Sequence, residues 1–302
     1  MDFDIRRCLV SLNVIDISNW QRGLDLSVLF SRNPDLDGVV VKSTGGVSNV
    51  QATCDPWVQW LMANNKAWGF YHFLDDDYKN SSGRAEAEFW VKNTKSYFGF
   101  GIPFADYENP AKSLGTRYLK EFLDTVYELT GVKPGVYASL SVVQSQDFSA
   151  IASAGYPLWL AQYANYNPTG FQPRPWQNGS YAPFKKYIMH QYTSSGELKG
   201  WGSRLDLDLF TGDRAEWDAL AKGDVPAPPG EKHVNPQIVM SILNGDYGIG
   251  QERVNRLISE GFDPVEVQGK VNELYGVALS VRQKFDGNME YADSIVKIIK
   301  SI

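Results

Sequence analysis

Eight short runs of β-branched and apolar residues recur along the first two-thirds of the chain, and their spacing is the strongest constraint on its fold. They are "NVIDIS" (13–18), "GVVVKS" (38–43), "AWGFYHF" (67–73), "IPFADYE" (102–108), "GVYAS" (135–139), "PLWLAQY" (157–163), "KYIMHQY" (186–192) and "RLDLDLF" (204–210). Such runs read as strands buried on both faces. Helical periodicity fills the gaps between the early ones, at about 24–33, 56–65, 83–95, 114–131 and 141–153. Strands alternating with helices imply right-handed βαβ units and a parallel sheet. Eight strands in a segment this long imply a closed barrel. The alternation stops after the sixth run, where "ANYNPTGFQPRPWQNGSYAPF" is rich in Pro, Gly and Asn. The expected architecture is α/β: a barrel with five covering helices and three barely covered final strands.

The segment 223–236, "GDVPAPPGEKHVNP", holds four prolines and two glycines and almost nothing apolar. It reads as an extended linker. The chain is therefore expected to divide into a barrel at 1–222, a linker at 223–234 and a small domain at 235–302.

Charge and composition exclude several classes. The net charge is −6 and no Lys/Arg run interrupts the sequence, so a nucleic-acid partner is not expected. No stretch approaches 18 apolar residues, the length that reads as a membrane span, so membrane insertion is not expected. The N-terminus "MDFDIRRCLVSLNVIDISNW" lacks the pattern of a secretory signal. The two cysteines, Cys8 and Cys54, read as flanking the first strand and lying in a polar loop, and one pair makes no disulfide scaffold. The three histidines, His72, His190 and His233, have no metal-ligand spacing. No metal or cofactor is expected.

In a parallel barrel the active site forms at the C-terminal ends of the strands. Asp16, Lys42, Asp106 and Glu108, and Asp206 with Asp208 stand at such ends. Each alone is an ordinary strand-end residue. Together, at one shared end, they would converge on a single mouth. Residues i and i+2 of a strand share a face, so Asp106 and Glu108 should both project into it, with Tyr107 packed behind. Two crowded carboxyls raise one another's proton affinity, and one can then serve as a general acid. Cleavage of a glycosidic bond requires such a group. His72 reads as a buried, hydrogen-bonded histidine rather than a base.

Ordered motifs make the reading specific. "VIDISNWQ" (14–21), "VVVKSTGG" (39–46), "WGFYHF" (68–73), "FADYENP" (104–110), "GVYAS" (135–139), "LWLAQYA" (158–164), "HQYTSSG" (190–196) and "LDLDLF" (205–210) follow one another along nearly all of 11–211. In this set and order the chain resembles the glycoside hydrolase family 25 muramidases, the lysozyme type common in phage endolysins. The resemblance implies a (β/α)5(β)3 TIM-like barrel and cleavage of the β-1,4 bond between N-acetylmuramic acid and N-acetylglucosamine. By position it implies Glu108 as general acid and Asp106 as its partner. It makes Asp16 and Asp206 the other two mouth carboxylates, with Asp206 preferred over Asp208. Whether the second step uses an enzyme nucleophile or the substrate's acetamido oxygen stays open. Lys42, Gln162 and Gln191 are candidates for polar substrate contacts. Tyr71, Phe73, Tyr137, Trp159 and Tyr163 are candidates for lining the sugar groove, where aromatic faces stack on pyranose rings.

Beyond the linker, apolar residues recur at helical spacing in three blocks, at about 236–243, 248–260 and 264–275. Three short helices make a minimal bundle. "GDYGIGQERVNRL" and "GFDPVEVQGKVNEL" resemble a CW_7-type cell-wall-binding repeat, with Tyr247 and Ile249 where that pattern usually has Trp and Asn. The resemblance implies binding to a conserved part of peptidoglycan, with Tyr247, Arg253, Gln268 and Asn272 as candidate contacts. The stretch from Tyr291 has helical spacing and is expected to pack back on the bundle or against a second copy.

The expected protein is thus an endolysin acting on bacterial peptidoglycan, held in the host cytoplasm until release through a holin-type pore. A bacterial autolysin or interbacterial lysozyme would share the chemistry. A non-catalytic peptidoglycan-binding protein is the alternative of another class, and the full set of acids argues against it.

Overall fold

The computed structural model describes residues 11–223, 236–248, 251–262, 264 and 267–271. The chain forms two compact units that part between Val225 and Pro226. Cys8, His233, Asn272, most of the linker and the stretch from Tyr291 lie outside the described residues.

The first unit is a closed eight-stranded barrel. Its strands are β1 (Leu12–Ile17), β2 (Gly38–Gly45), β4 (Ala67–Phe73), β5 (Ile102–Asp106), β6 (Gly135–Ser139), β7 (Leu158–Ala161), β8 (Met189–Gly196) and β9 (Leu205–Phe210). A two-residue strand, β3 (Asn49–Val50), only folds back on the end of β2. Strands β1, β2 and β4 to β8 pair in parallel, and β9 closes the ring antiparallel to both β8 and β1. Helices α1 (Leu26–Arg32), α2 (Cys54–Ala63), α3 (Gly83–Thr94) and α4 (Gly115–Thr130) follow the first four barrel strands. The fifth covering segment is not one helix. It splits into α5 (Leu140–Ser145) and α6 (Ser149–Ser153), with the Asp147 carboxylate accepting the Ser149 N–H between them.

Strand alternation sorts the core into two layers. Val14, Val40, Phe104, Trp159 and Met189 fill the barrel, while Ile15, Val41, Phe70, Ala105 and Leu160 face the helices. Cys54 departs from the expected polar loop: it opens α2, is buried against that outer layer, and is a free thiol. Burial pushes its pKa up to about 12.

One helix escapes the strand–helix pattern. After β9, α7 (Arg214–Lys222) starts from Asp213, whose carboxylate accepts the Glu216 N–H in a reciprocal capping box. Its Trp217 is buried, meets Phe210 edge-to-face at 4.9 Å, and donates its indole N–H to the Trp68 carbonyl at 3.0 Å. Trp217 and Ala221 join the inner layer beside Ala67 and Ile102, at the N-terminal ends of β4 and β5. The helix thus plugs the bottom of the barrel and leaves the opposite end open.

The second unit contains α8 (Pro236–Leu243), α9 (Gln251–Ser259) and a helical stretch at 267–271. Ile238, Val239, Ile242, Leu257, Phe262, Val267 and Val271 form its core, with Tyr247 packed against it.

Candidate active site

The open end of the barrel holds a cleft of about 460 Å³. Asp16, Asp106, Glu108 and Asp206 all line it. Backbone pairing explains why. Asp16 and Asp206 are direct partners across β1 and β9, and Asp106 stands between Phe73 of β4 and Tyr137 of β6. The ladder runs one residue past β5, because the Tyr107 N–H donates to the Tyr137 carbonyl at 3.0 Å. Tyr107 turns away, fully buried, and its hydroxyl donates to the Gln146 side-chain oxygen at 2.7 Å. Glu108 follows on the cleft side, exposed at the rim.

Asp206 and Asp208 share a strand face but not a depth. Asp208 sits one layer below the cleft, fully buried, opposite Val14, and accepts the Trp159 indole N–H at 2.8 Å. Asp206 is the member of the pair that lines the cleft.

Crowding and burial act on these carboxyls in one direction. Burial, followed by the charges of Asp206 and Asp208, holds the Asp16 carboxyl well above its ordinary value. Burial and the neighbouring Glu108 do the same to Asp106, against the opposing pull of Lys42. Burial also raises Asp208 well above its ordinary value, and the Trp159 N–H opposes this. Asp206 is lifted to about 6 by burial and by Glu108. Glu108 is raised by partial burial, with Lys42 and Lys112 pulling the other way. Burial and mutual repulsion thus shift every one of these carboxyls toward its protonated form. One oxygen of Asp106 is buried with no hydrogen-bond partner among the described residues.

Gln191 orients the cluster. Its amide N–H donates to Asp16 at 2.6 Å, and its oxygen accepts the hydroxyls of Tyr137, at 2.8 Å, and Tyr163. With both tyrosines donating to one atom, the amide can present only its NH₂ to Asp16. Tyr71, Phe73, Tyr137, Trp159 and Tyr163 all line the cleft. The edge-to-face contacts of Trp159 with Tyr137 at 4.8 Å and Phe104 at 4.9 Å also fill the barrel beneath it.

Two candidates hold other posts. Lys42 lines the cleft, but its ammonium is tied to Asp76 at 3.1 Å and lies 4.4 Å from the centre of the Phe73 ring. Gln162 is not among the cleft residues. Its side chain donates to the Asn178 carbonyl at 2.7 Å and accepts the Asn178 N–H at 3.0 Å, so it pins the long loop between β7 and β8. Conversely, Trp20, Gln21, Ser194 and Arg204 line the cleft without having been singled out from the sequence. Trp20 is 91% exposed at the rim; an indole one residue past a strand-end "DISN" was the available signal. Among the described residues no group of three or more His, Cys, Asp or Glu side chains is arranged to hold a metal ion.

In the second unit Arg253 donates to the Gly248 carbonyl at 3.0 Å and to the Gln268 side chain at 3.2 Å. Tyr247 donates its hydroxyl to Glu260. These three candidate contacts thus belong to one small helical unit, and the fourth, Asn272, lies outside the described residues.

Comparison with known proteins agrees with this geometry. The family described as "Glycosyl hydrolases family 25" matches residues 15–201, and the CW_7 repeat matches residues 236–275. The lysozyme of Streptococcus phage Cp-7 is 23% identical over 265 residues, covering 86% of this chain and 69% of its own. The crystal structure of a bacterial lysozyme from Streptomyces coelicolor superposes with a TM-score of 0.57 at 20% identity, over 70% of this chain and 97% of that one. A family GH25 lysozyme from Aspergillus fumigatus gives 0.56 at 19% identity, over 71% and 100%. At these identities the two structures speak for the fold.

Proposed function

Since the chain belongs to the glycosyl hydrolases of family 25, we propose that it is a lysozyme that hydrolyses the β-1,4 bond between N-acetylmuramic acid and N-acetylglucosamine in peptidoglycan. The observation that carries the reading is the convergence of Asp16, Asp106, Glu108 and Asp206 on one cleft. Glu108 is the general acid. It is the rim carboxyl, it is raised toward neutrality, and water can return its proton after each turnover. It protonates the glycosidic oxygen as the bond to the anomeric carbon breaks. Positive charge then develops on the sugar ring, against the carboxyls of Asp16 and Asp206. Asp106, beside Glu108, bears part of that charge or aligns the substrate's acetamido group. Glu108, now a carboxylate, takes a proton from the water that completes hydrolysis.

The CW_7 repeat is the wall anchor in this reading, with Tyr247, Arg253 and Gln268 as contacts. A tether raises the local concentration of substrate at the mouth without new contacts there. A phage lysozyme among the relatives favours an endolysin, and for such an enzyme the proposed route to the wall is from the host cytoplasm through a holin-type pore. Mass spectrometry of digested Gram-positive walls tests the central claim, which requires new reducing ends on muramic acid. Reducing ends on glucosamine, or none, would refute it. A chain ending at residue 222 should lose about 10²-fold activity on intact walls relative to soluble glycan. Equal rates on both would remove the anchor role.

A further inference from the structure

The cleft is acidic, yet the substrate proposed above carries acidic peptides on its muramoyl residues. Two cations line the cleft, Lys42 and Arg204. Lys42 is engaged by Asp76. Among the described residues Arg204 is paired only with Glu197, and both side chains are largely in solvent, at 45% and 63% exposure. Exposed pairs of this kind are weak and exchange readily.

Arg204 has a second face. It also lines a separate cavity of about 640 Å³ formed by the hairpin between β8 and β9. The walls there are Leu198, Lys199, Trp201 and Ser203, with Glu197 at the side. The cleft and this cavity therefore share one residue, Arg204, as a wall. Trp201 gives the cavity an aromatic wall and packs against the barrel core on its other side. The hairpin is held in place before any ligand arrives. The Asn33 side chain donates to the Lys199 carbonyl at 2.7 Å and accepts its N–H at 3.1 Å, and the Glu197 N–H donates to the Thr169 carbonyl at 2.8 Å.

We infer that this hairpin cavity receives the acidic stem peptide of the muramoyl residue bound in the cleft, with Arg204 at the junction and Lys199 and Trp201 as its walls. The inference rests on the lysozyme reading. The physical reason is charge. Asp16, Asp106 and Asp206 offer a carboxylate no attraction in either protonation state, whereas Arg204 and Lys199 lie within a Debye length, about 8 Å, of one that enters the hairpin cavity. The favourable route for the peptide therefore leads to the hairpin. The guanidinium can bind a carboxylate bidentately, displacing Glu197. Binding there fixes which way the glycan strand lies across the acids.

The test uses the full chain and two substrates: glycan strands with their stem peptides, and the same strands stripped of peptide by an amidase, with the lactyl carboxylate that hydrolysis leaves then capped as its methylamide. The peptide-bearing strand should be preferred by about tenfold in kcat/KM, the scale of a charge-assisted hydrogen bond, and mostly through KM. Arg204→Ala and Lys199→Ala should each shrink that ratio, and high salt should shrink it in the parent protein. Glu197→Gln, which frees the guanidinium, should enlarge it. Thermal melting checks that these surface variants are folded. Equal cleavage of the two strands by the parent overturns the inference. So does an Arg204→Ala loss of the same factor on both, or a ratio that Glu197→Gln leaves unmoved. Failure of the parent to cleave either strand sinks the lysozyme reading itself, a result distinguishable from all of these.

Discussion

Two carboxyls stand on opposite faces of the barrel wall, Glu86 behind β4 and Asp106 at the inner end of the adjoining β5, and they are treated differently. Behind the wall, Glu86 of α3 is fully buried and its bonds are complete. It meets His72 at 3.0 Å, accepts the Asp75 N–H at 2.9 Å and accepts the Tyr118 hydroxyl at 2.5 Å. The other nitrogen of His72 meets the Thr44 hydroxyl at 2.8 Å, and its ring stacks on Phe122 at 5.2 Å. Burial lowers the His72 pKa, against the pull of Glu86. In front of the wall, Asp106 is also buried, but one of its oxygens has no partner among the described residues and its acidic neighbour is Glu108. A closed network contributes to stability, because opening it strands buried polar groups. An open one costs stability and leaves capacity for a substrate. The two clusters should therefore respond to mutation in opposite ways.

The largest expected effect lies in front. Glu108→Gln keeps the shape of the side chain and removes its transferable proton, so the hydrolysis rate should fall by about 10² to 10⁴, with the unfolding midpoint nearly unchanged. Near-normal lysis by the folded variant would end the assignment. Next comes Glu86→Ala behind the wall. It leaves His72, Tyr118 and the Asp75 N–H unsatisfied, and the barrel should lose about 3 kcal/mol or more in urea unfolding. Turnover per folded molecule should hold. A large loss of turnover at full stability would mean that the back network reaches the chemistry.

A smaller effect separates the clusters by pH. Asp206 titrates at about 6 in the fold against 3.8 for a free side chain. A raised carboxyl favours the folded state fully below its unfolded pKa, and that contribution is lost as pH rises through the folded value. Barrel stability should thus increase by up to about 2 kcal/mol between pH 7 and pH 4, and Asp206→Asn should flatten the slope. A flat profile in the parent protein would show that the mouth acids are not crowded. The smallest effect is Asp106→Asn. It should impair hydrolysis, yet leave stability at pH 7 unchanged or raise it by about 1 kcal/mol or less, because a neutral amide relieves the repulsion. Destabilisation on the scale of Glu86→Ala would erase the contrast between front and back.

Much of this contrast was legible in the sequence. Alternation along "FADYE" puts Asp106 and Glu108 on one side and Tyr107 on the other, because side chains of a strand change face at every residue. Buried strands also declare themselves as short apolar runs, so the eight barrel strands could be read directly. The division of "LDLDLF" between Asp206 and Asp208 was harder, since both share a face and only depth separates them.

What the tertiary structure decided are the partnerships between segments far apart in the chain. Asp16 lies opposite Asp206 only because β9 closes the ring antiparallel, and Gln191 reaches Asp16 only across that closure. Gln162 looked like a cleft residue from its strand-end position, but the loop bearing Asn178 claims its amide. The short helix α7 shows its reason for forming only against Trp68 and Phe210 at the bottom of the barrel. Periodicity is a local property, carried by neighbouring residues. Register, depth and the choice of hydrogen-bond partner are set by which distant strands meet, and no window of sequence contains both sides of such a contact.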